Sequence, residues 1–197
     1  MTSRRLALQW LAASAAGVRL PAQAHALAGW VKPPRPVPAW PLTLANGQTS
    51  TMKRLLQGRN TALQLMFTGC SSTCPLQGAL FAQVQQRLAG EAAVRARSQL
   101  VSLSVDPLGD SPAAMARWLA QFGAGPQWVG AVPPVAQLDA LLEFFDGKSN
   151  RGMDWHVNAV FLFNARAELV LRSVEHPAPA EVVRWLAELP SPATSPR

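Results

Sequence analysis

Apolar positions recur along this chain with two different periods. Residues 61–67 (T-A-L-Q-L-M-F) and 99–105 (Q-L-V-S-L-S-V) are apolar runs of strand length. Continuous runs of this kind fit strands covered on both faces. Between them the spacing lengthens: Leu80, Val84 and Leu88 fall four apart, which predicts a helix over 75–88 with Pro75 in its first turn, where a missing N–H is harmless. After the second run, Ser111 is placed as an N-cap and Pro112 as the first helical residue, and the helix continues through Met115, Trp118, Leu119 and Phe122. Residues 127–132 predict a short strand, and 135–145 a helix with Leu138, Leu141, Leu142 and Phe145 on one side. Two hairpins are expected. The first joins 41–45 to 48–52 through Asn46-Gly47, a pair that supplies positive φ, and the second joins 158–163 to 169–172. A last helix over 180–189 packs through Val183, Leu186 and Trp185. Strands alternating with helices specify an α/β domain with a central mixed sheet flanked by helices.

Composition narrows this picture. The chain has 197 residues, 15% charged and 49% hydrophobic, which fits one domain with appendages and excludes a solvating, disordered polymer. No apolar run reaches the ~18–20 residues of an ordinary membrane-spanning helix. A net charge of +7 invites a nucleic-acid partner, but its distribution removes the reason. Arg4, Arg5 and Arg19 lie in residues 1–26, a segment with a basic start, a weakly apolar middle and small residues at its end. This reads as a twin-arginine-like export signal, cut after Ala24 or Ala26, that directs the chain to the periplasm. An uncleaved signal would instead leave the protein at the inner-membrane surface. The remainder carries +4, scattered singly or in short pairs such as Lys53-Arg54, so the clustered field that phosphates require is missing and nucleic acid is not an expected partner. Proline, at 17 residues, concentrates in 27–40, expected to be an extended linker or an edge segment. The domain proper is placed at 41–189 and a loose tail at 190–197.

The chain has two cysteines, four apart, in Gly69-Cys70-Ser71-Ser72-Thr73-Cys74-Pro75, between a predicted buried strand and a helix N-terminus. A thiol there feels the positive end of the helix dipole and unpaired N–H groups, both of which favour thiolate. Thiolate binds soft metals and attacks disulfides, so the pair can hold a metal or work as a redox couple. A structural disulfide over so short a loop would remove little chain entropy. Zinc in a structural site would want four protein ligands, and no further Cys exists.

The order of elements suits a thioredoxin-like fold with an N-terminal β-hairpin extension. More specifically, L-M-F-T-G-C-S-S-T-C-P resembles the strand and C-x-x-x-C-P loop of the Sco/SenC proteins, thioredoxin-fold copper proteins that serve cytochrome oxidase assembly. L-V-S-L-S-V-D-P-L-G-D-S-P (100–112) is similar to that family's S-x-D-P-x-x-D-T/S-P loop, and D-W-H-V-N-A-V-F-L-F-N (154–164) resembles its histidine-bearing strand. The resemblance implies copper ligands at Cys70, Cys74 and His156, copper as Cu(I) or Cu(II), and delivery to a cytochrome c oxidase copper-site subunit or another carrier. The alternative is a thiol–disulfide oxidoreductase in which Cys70 attacks and Cys74 resolves. A thiol peroxidase is a weaker third reading, since no Arg adjoins the loop to activate Cys70. Two departures stand out: Ser71, Ser72 and Thr73 are neutral where the family often has an acid, and Asp154 is separated from His156 by Trp155. Asp106 is expected to cap its turn, with a supporting role beside the ligands as the alternative. Met66 is read as strand core and Met153 as a loop residue, while His25 falls in the signal and His176 on the surface.

Overall fold

In the computed structural model, which describes residues 28–146 and 158–191, the sequence folds into eight strands and six α-helices. In chain order these are β1 (Gly29–Pro36), β2 (Pro41–Leu44), β3 (Thr49–Thr51), α1 (Met52–Leu56), β4 (Asn60–Met66), α2 (Cys74–Ala89), α3 (Ala92–Arg97) and β5 (Ser98–Ser104). There follow α4 (Pro112–Gln121), β6 (Trp128–Val132), a 3-10 turn (Val135–Gln137), α5 (Leu138–Asp146), β7 (Ala159–Phe163), β8 (Glu168–Glu175) and α6 (Pro179–Glu188). All strands join one mixed sheet in the order β1-β8-β7-β4-β5-β6-β2-β3. β4, β5 and β6 are parallel, β7 runs antiparallel to β4 and β8, and β2 is antiparallel to β3 and β6, which ties the predicted N-terminal hairpin into the sheet.

Strand alternation divides the core in two. Ala62 and Met66 of β4 face one side, where α2, α4 and α6 supply Phe81, Val84, Met115, Trp118, Val183 and Leu186. Leu63 and Leu65 face the other, against Met52, Leu56, Leu141 and Phe145 of α1 and α5. With helices on both faces, β4 and β5 are buried throughout, which is why their sequences read as unbroken apolar runs. The proline-rich segment contributes β1, an edge strand paired only with β8, where Pro33, Pro34 and Pro36 interrupt no ladder on an outer side. No helix among the described residues is long and apolar enough to cross a membrane.

The helix carrying Cys74 departs from its predicted face. Gln77, Gly78, Phe81, Val84 and Leu88 are buried, whereas Leu80 is only partly so. Gly78 is the point of closest approach: a Cβ there would lie 2.5 Å from the Phe122 ring. Gly78→Ala is therefore expected to destabilise the domain by about 1–2 kcal/mol, since overpacking of ~1–3 kcal/mol outweighs the ~1 kcal/mol that alanine gains in helix propensity. A thermal melt should show it as a drop of about 3–6 °C, and a variant at least as stable as the parent would contradict this packing.

Candidate metal and thiol site

Cys70 and Cys74 sit where β4 ends and α2 begins, on the carboxyl edge of the parallel strands, the usual place for a functional loop in an α/β sheet. The chain turns immediately after β4, with Cys70 N–H donating to Phe67 O at 3.2 Å. Cys74 is the first helical residue, and Thr73, at the N-cap, makes no side-chain cap. Instead the Cys74 N–H donates to Cys70 Sγ at 3.4 Å. The sulfur occupies the capping role that a Ser or Asp oxygen plays elsewhere, and Pro75 removes the next free donor.

This arrangement splits the two thiols. Burial alone would push Cys70 up, but hydrogen bonds from the Cys74 side chain and from the backbone of Cys74, Ser72 and Thr73 outweigh it, and the net shift is downward. Cys74 goes the other way, to about 12, first through burial, then through donation to Cys70 and repulsion from Cys70 and Asp110; a backbone hydrogen bond with Phe67 opposes this in part. Cys70 is 9% exposed and Cys74 2%, and both are free thiols. Cys70 is thus the ready thiolate, and Cys74 holds its proton until something displaces it.

Asp110 is the residue that reading the sequence missed. Its carboxylate accepts from Thr68 N–H (2.9 Å), from the Thr68 hydroxyl (2.5 Å) and from the Ser104 hydroxyl (2.6 Å), and it is 8% exposed. It clamps the cysteine loop to the β5–α4 loop two residues before Cys70. Asp106, the acid weighed from the motif, caps its own turn by accepting from Gly109 N–H at 2.9 Å. Gly109 is needed there, because a Cβ would come within 2.2 Å of the Asp106 carboxylate. The signal for Asp110 was present in S-V-D-P-L-G-D-S-P, but which of its two acids turns inward depends on the fold.

His156, with Met153, Asp154 and Trp155, lies outside the described residues, as do His25 and the signal segment. The chain past His156 is described from Asn158, and the pairing of Gln64 with Val160 brings that end of β7 to the end of β4 that leads into the cysteine loop. Asn158 is 8% exposed, its Oδ1 lacks a hydrogen-bond partner among the described residues, and its carbonyl accepts from His176 N–H at 3.1 Å. His176 is exposed and adopts φ 50, and Met66 is 1% exposed in the core. Among the described residues no three of His, Cys, Asp and Glu gather as a metal site. A cleft of about 380 Å³ lined by Leu88, Arg95, Ser98 and Gln127 lies at the opposite end of the sheet from the cysteines.

A protein-family model described as SCO1/SenC matches residues 32–189. Among solved structures, the chain is similar to a SCO1/SenC family lipoprotein from Bacillus anthracis str. Ames, 22% identical over 81% of this chain and 98% of that one, with a TM-score of 0.63. It is also similar to copper-bound ScoI of Bradyrhizobium japonicum, at 22% identity, 77% and 97% coverage and a TM-score of 0.61. A third likeness is BsSco, a member of the Sco family of cytochrome c oxidase assembly proteins in which a disulfide switch was identified, at 18% identity, 78% and 92% coverage and a TM-score of 0.63. At these identities the likeness establishes the fold, thioredoxin-like α/β as the element order predicted. No curated protein matches the chain in sequence.

Proposed function

The chain belongs to the SCO1/SenC family, and on that footing we propose that it is a copper chaperone for cytochrome c oxidase assembly, carrying copper on Cys70, Cys74 and His156. The observation that carries this is the pair of free, unequal thiols on one loop at the strand edge to which β7 also returns. Two thiolates suit Cu(I), and an added imidazole makes a set that also accepts Cu(II). The copper-bound ScoI supports the same cargo. Residues 1–26 act as the export signal, which places the domain in the periplasm where such an acceptor stands.

Anaerobic titration of the reduced mature protein tests the reading. One copper per chain is expected, with sulfur-to-copper charge transfer in the visible spectrum of the Cu(II) form. His156→Ala should lose that spectrum's character and weaken Cu(II) binding by more than the ~10–100-fold that removal of an outer partner costs. An unchanged spectrum and affinity would remove His156 from the ligand set.

The split between the thiols also favours a second reading, thiol–disulfide exchange, in keeping with the disulfide switch of BsSco. The Cys70 thiolate attacks a target disulfide, one target sulfur leaves as thiolate, and a mixed disulfide forms. Cys74 then gives up its proton and attacks Cys70 Sγ, releasing the second target sulfur and leaving a Cys70–Cys74 disulfide. Turnover without metal, unaffected by loss of His156, would favour this reading over the first.

A further inference from the structure

The cleft of about 380 Å³ at the foot of the sheet has apolar walls. Leu88 and Ala89 close α2, Leu100 lies in β5 and Pro126 in the loop between α4 and β6. Hydrogen bonds hold those walls to one another. Gln85 Oε1 accepts from Gly125 N–H at 2.7 Å while its Nε2 donates to Gly123 O at 2.9 Å, which ties α2 to that loop. Gln127 Nε2 donates to Arg95 O at 2.9 Å and Gln127 O accepts from Leu100 N–H at 2.8 Å, which ties the loop to α3 and β5. A cleft pinned in this way keeps its shape, and its volume falls within the ~300–1,000 Å³ of small-ligand sites. Two of its polar side chains are uncommitted. Ser98 is 1% exposed, its hydroxyl has no partner among the described residues, and strand alternation turns it to the same face as Leu100. Arg95 is exposed on α3, and its guanidinium meets no carboxylate among the described residues.

Charge selects the occupant. Of the chain's eleven Asp and Glu, only Asp154 lies outside the described residues, four positions before Asn158, which leads into β7 at the cysteine end. At the foot of the sheet Glu168 pairs with Arg166 and Glu188 with Arg184. That leaves Glu91 beside Arg59, Arg87, Arg95 and Arg97, and it forms an ion pair with none of them. Arg87 answers the negative end of α2, whose last turn it occupies. Arg97 is engaged by Ala187 O and Ser191 Oγ, and Arg59 by Ser98 O. Arg95 is the one of the four that lines the cleft. Segments 1–27 and 192–197 add arginines and no Asp or Glu, and the same end of a second copy brings like charge. A free cation over a rigid apolar cleft calls instead for a small anion with an apolar body.

We propose that this cleft is a second ligand site, separate from the thiols, which takes a medium-chain carboxylate. The alkyl chain lies against Leu88, Ala89, Leu100 and Pro126 and leaves water. Arg95 receives the carboxylate through two parallel N–H donors, with the Ser98 hydroxyl as a further donor.

Isothermal titration of the reduced mature protein with octanoate, and with octanamide as its uncharged analogue, is the test. Octanoate is expected to saturate one site per chain and to bind at least tenfold more tightly than octanamide. Arg95→Gln should weaken octanoate at least tenfold and leave octanamide unchanged. Ala89→Phe, which fills the cleft from an exposed helix position, should weaken both. Neither readout involves metal, so the outcome is independent of the copper reading. With octanoate bound, the thiols should react with 5,5′-dithiobis(2-nitrobenzoate) at an unchanged rate, because they lie at the other end of the sheet. Non-saturating uptake, equal affinity for octanoate and octanamide, or parental affinity in both variants overturns the proposal. Binding that occurs only in a chain ending at Ser191 overturns it too, because the cleft then belongs to the chain's own residues 192–197.

Discussion

Replacing Asp110 with alanine is expected to cost the domain about 3 kcal/mol and to release the cysteine loop. Three donors lose their acceptor at once: the Thr68 N–H, the Thr68 hydroxyl and the Ser104 hydroxyl. Each hydrogen bond to a charged acceptor contributes ~1.5–3 kcal/mol, but Thr68 is only part-buried and water replaces some of the loss, so the sum is well short of additive. Asp110→Asn keeps the shape and one good acceptor oxygen and should cost about half as much. Chemistry at the thiols changes in the same variant. Removing the carboxylate removes one of the forces that hold Cys74 high, so Cys74 should become more reactive towards alkylating reagents. Urea denaturation read beside iodoacetamide labelling checks both parts. An Asp110→Ala protein within about 0.5 kcal/mol of the parent, with Cys74 as inert as before, would show that the clamp neither stabilises the loop nor tunes the thiols.

The parts of this protein legible in its sequence are those that bury apolar surface with a clear period. β4 and β5 announce themselves because helices cover both their faces. α3 did not, because Ala92–Arg97 buries no residue and so carries no apolar stripe. α1 was hidden differently: it is five residues long, and its first residue, Met52, reads as the end of the hairpin strand. The prolines of 27–40 left a linker and an edge segment both open, and the structure takes the second: an edge strand needs donors on only one side, and β1 uses that freedom. The face of α2 was predicted from leucine spacing, whereas the observed face is set by a glycine admitting an aromatic ring from beyond α4. The site divides along the same line. Two cysteines on a strand-to-helix corner are visible in one dimension. Their inequality is not, because it arises from an N–H aimed at a sulfur and from a carboxylate delivered by the next parallel strand.

That inequality predicts a strong pH signature. At pH 8 a thiol near 12 is about 10⁻⁴ thiolate, whereas Cys70, held below its ordinary value by the hydrogen bonds to its sulfur, is ionised to a far greater extent. The difference is reduced because a more basic thiolate is the better nucleophile, with a Brønsted slope of ~0.4–0.5, but it still leaves Cys70 to react with a disulfide reagent more than about tenfold faster. The burial of Cys74 acts in the same direction. Stability follows with opposite signs for the two groups. Cys74, raised in the fold, contributes fully below its ordinary value and loses that contribution as pH climbs from 9 towards 12, a loss of a few kcal/mol. Cys70, depressed in the fold, contributes above its ordinary value and loses the contribution as pH falls through its native one. Cys74→Ser should therefore flatten the alkaline limb of stability against pH, and an identical limb in both proteins would refute the assignment. Metal binding gives the same inequality a second readout. Copper held by both sulfurs must expel the Cys74 proton across the whole range below about pH 12, and the Cys70 proton only below its lowered native value. The logarithm of copper affinity should rise with a slope near one per pH unit above the lowered Cys70 value and steepen towards two below it, and a pH-independent affinity would mean that Cys74 is not a ligand.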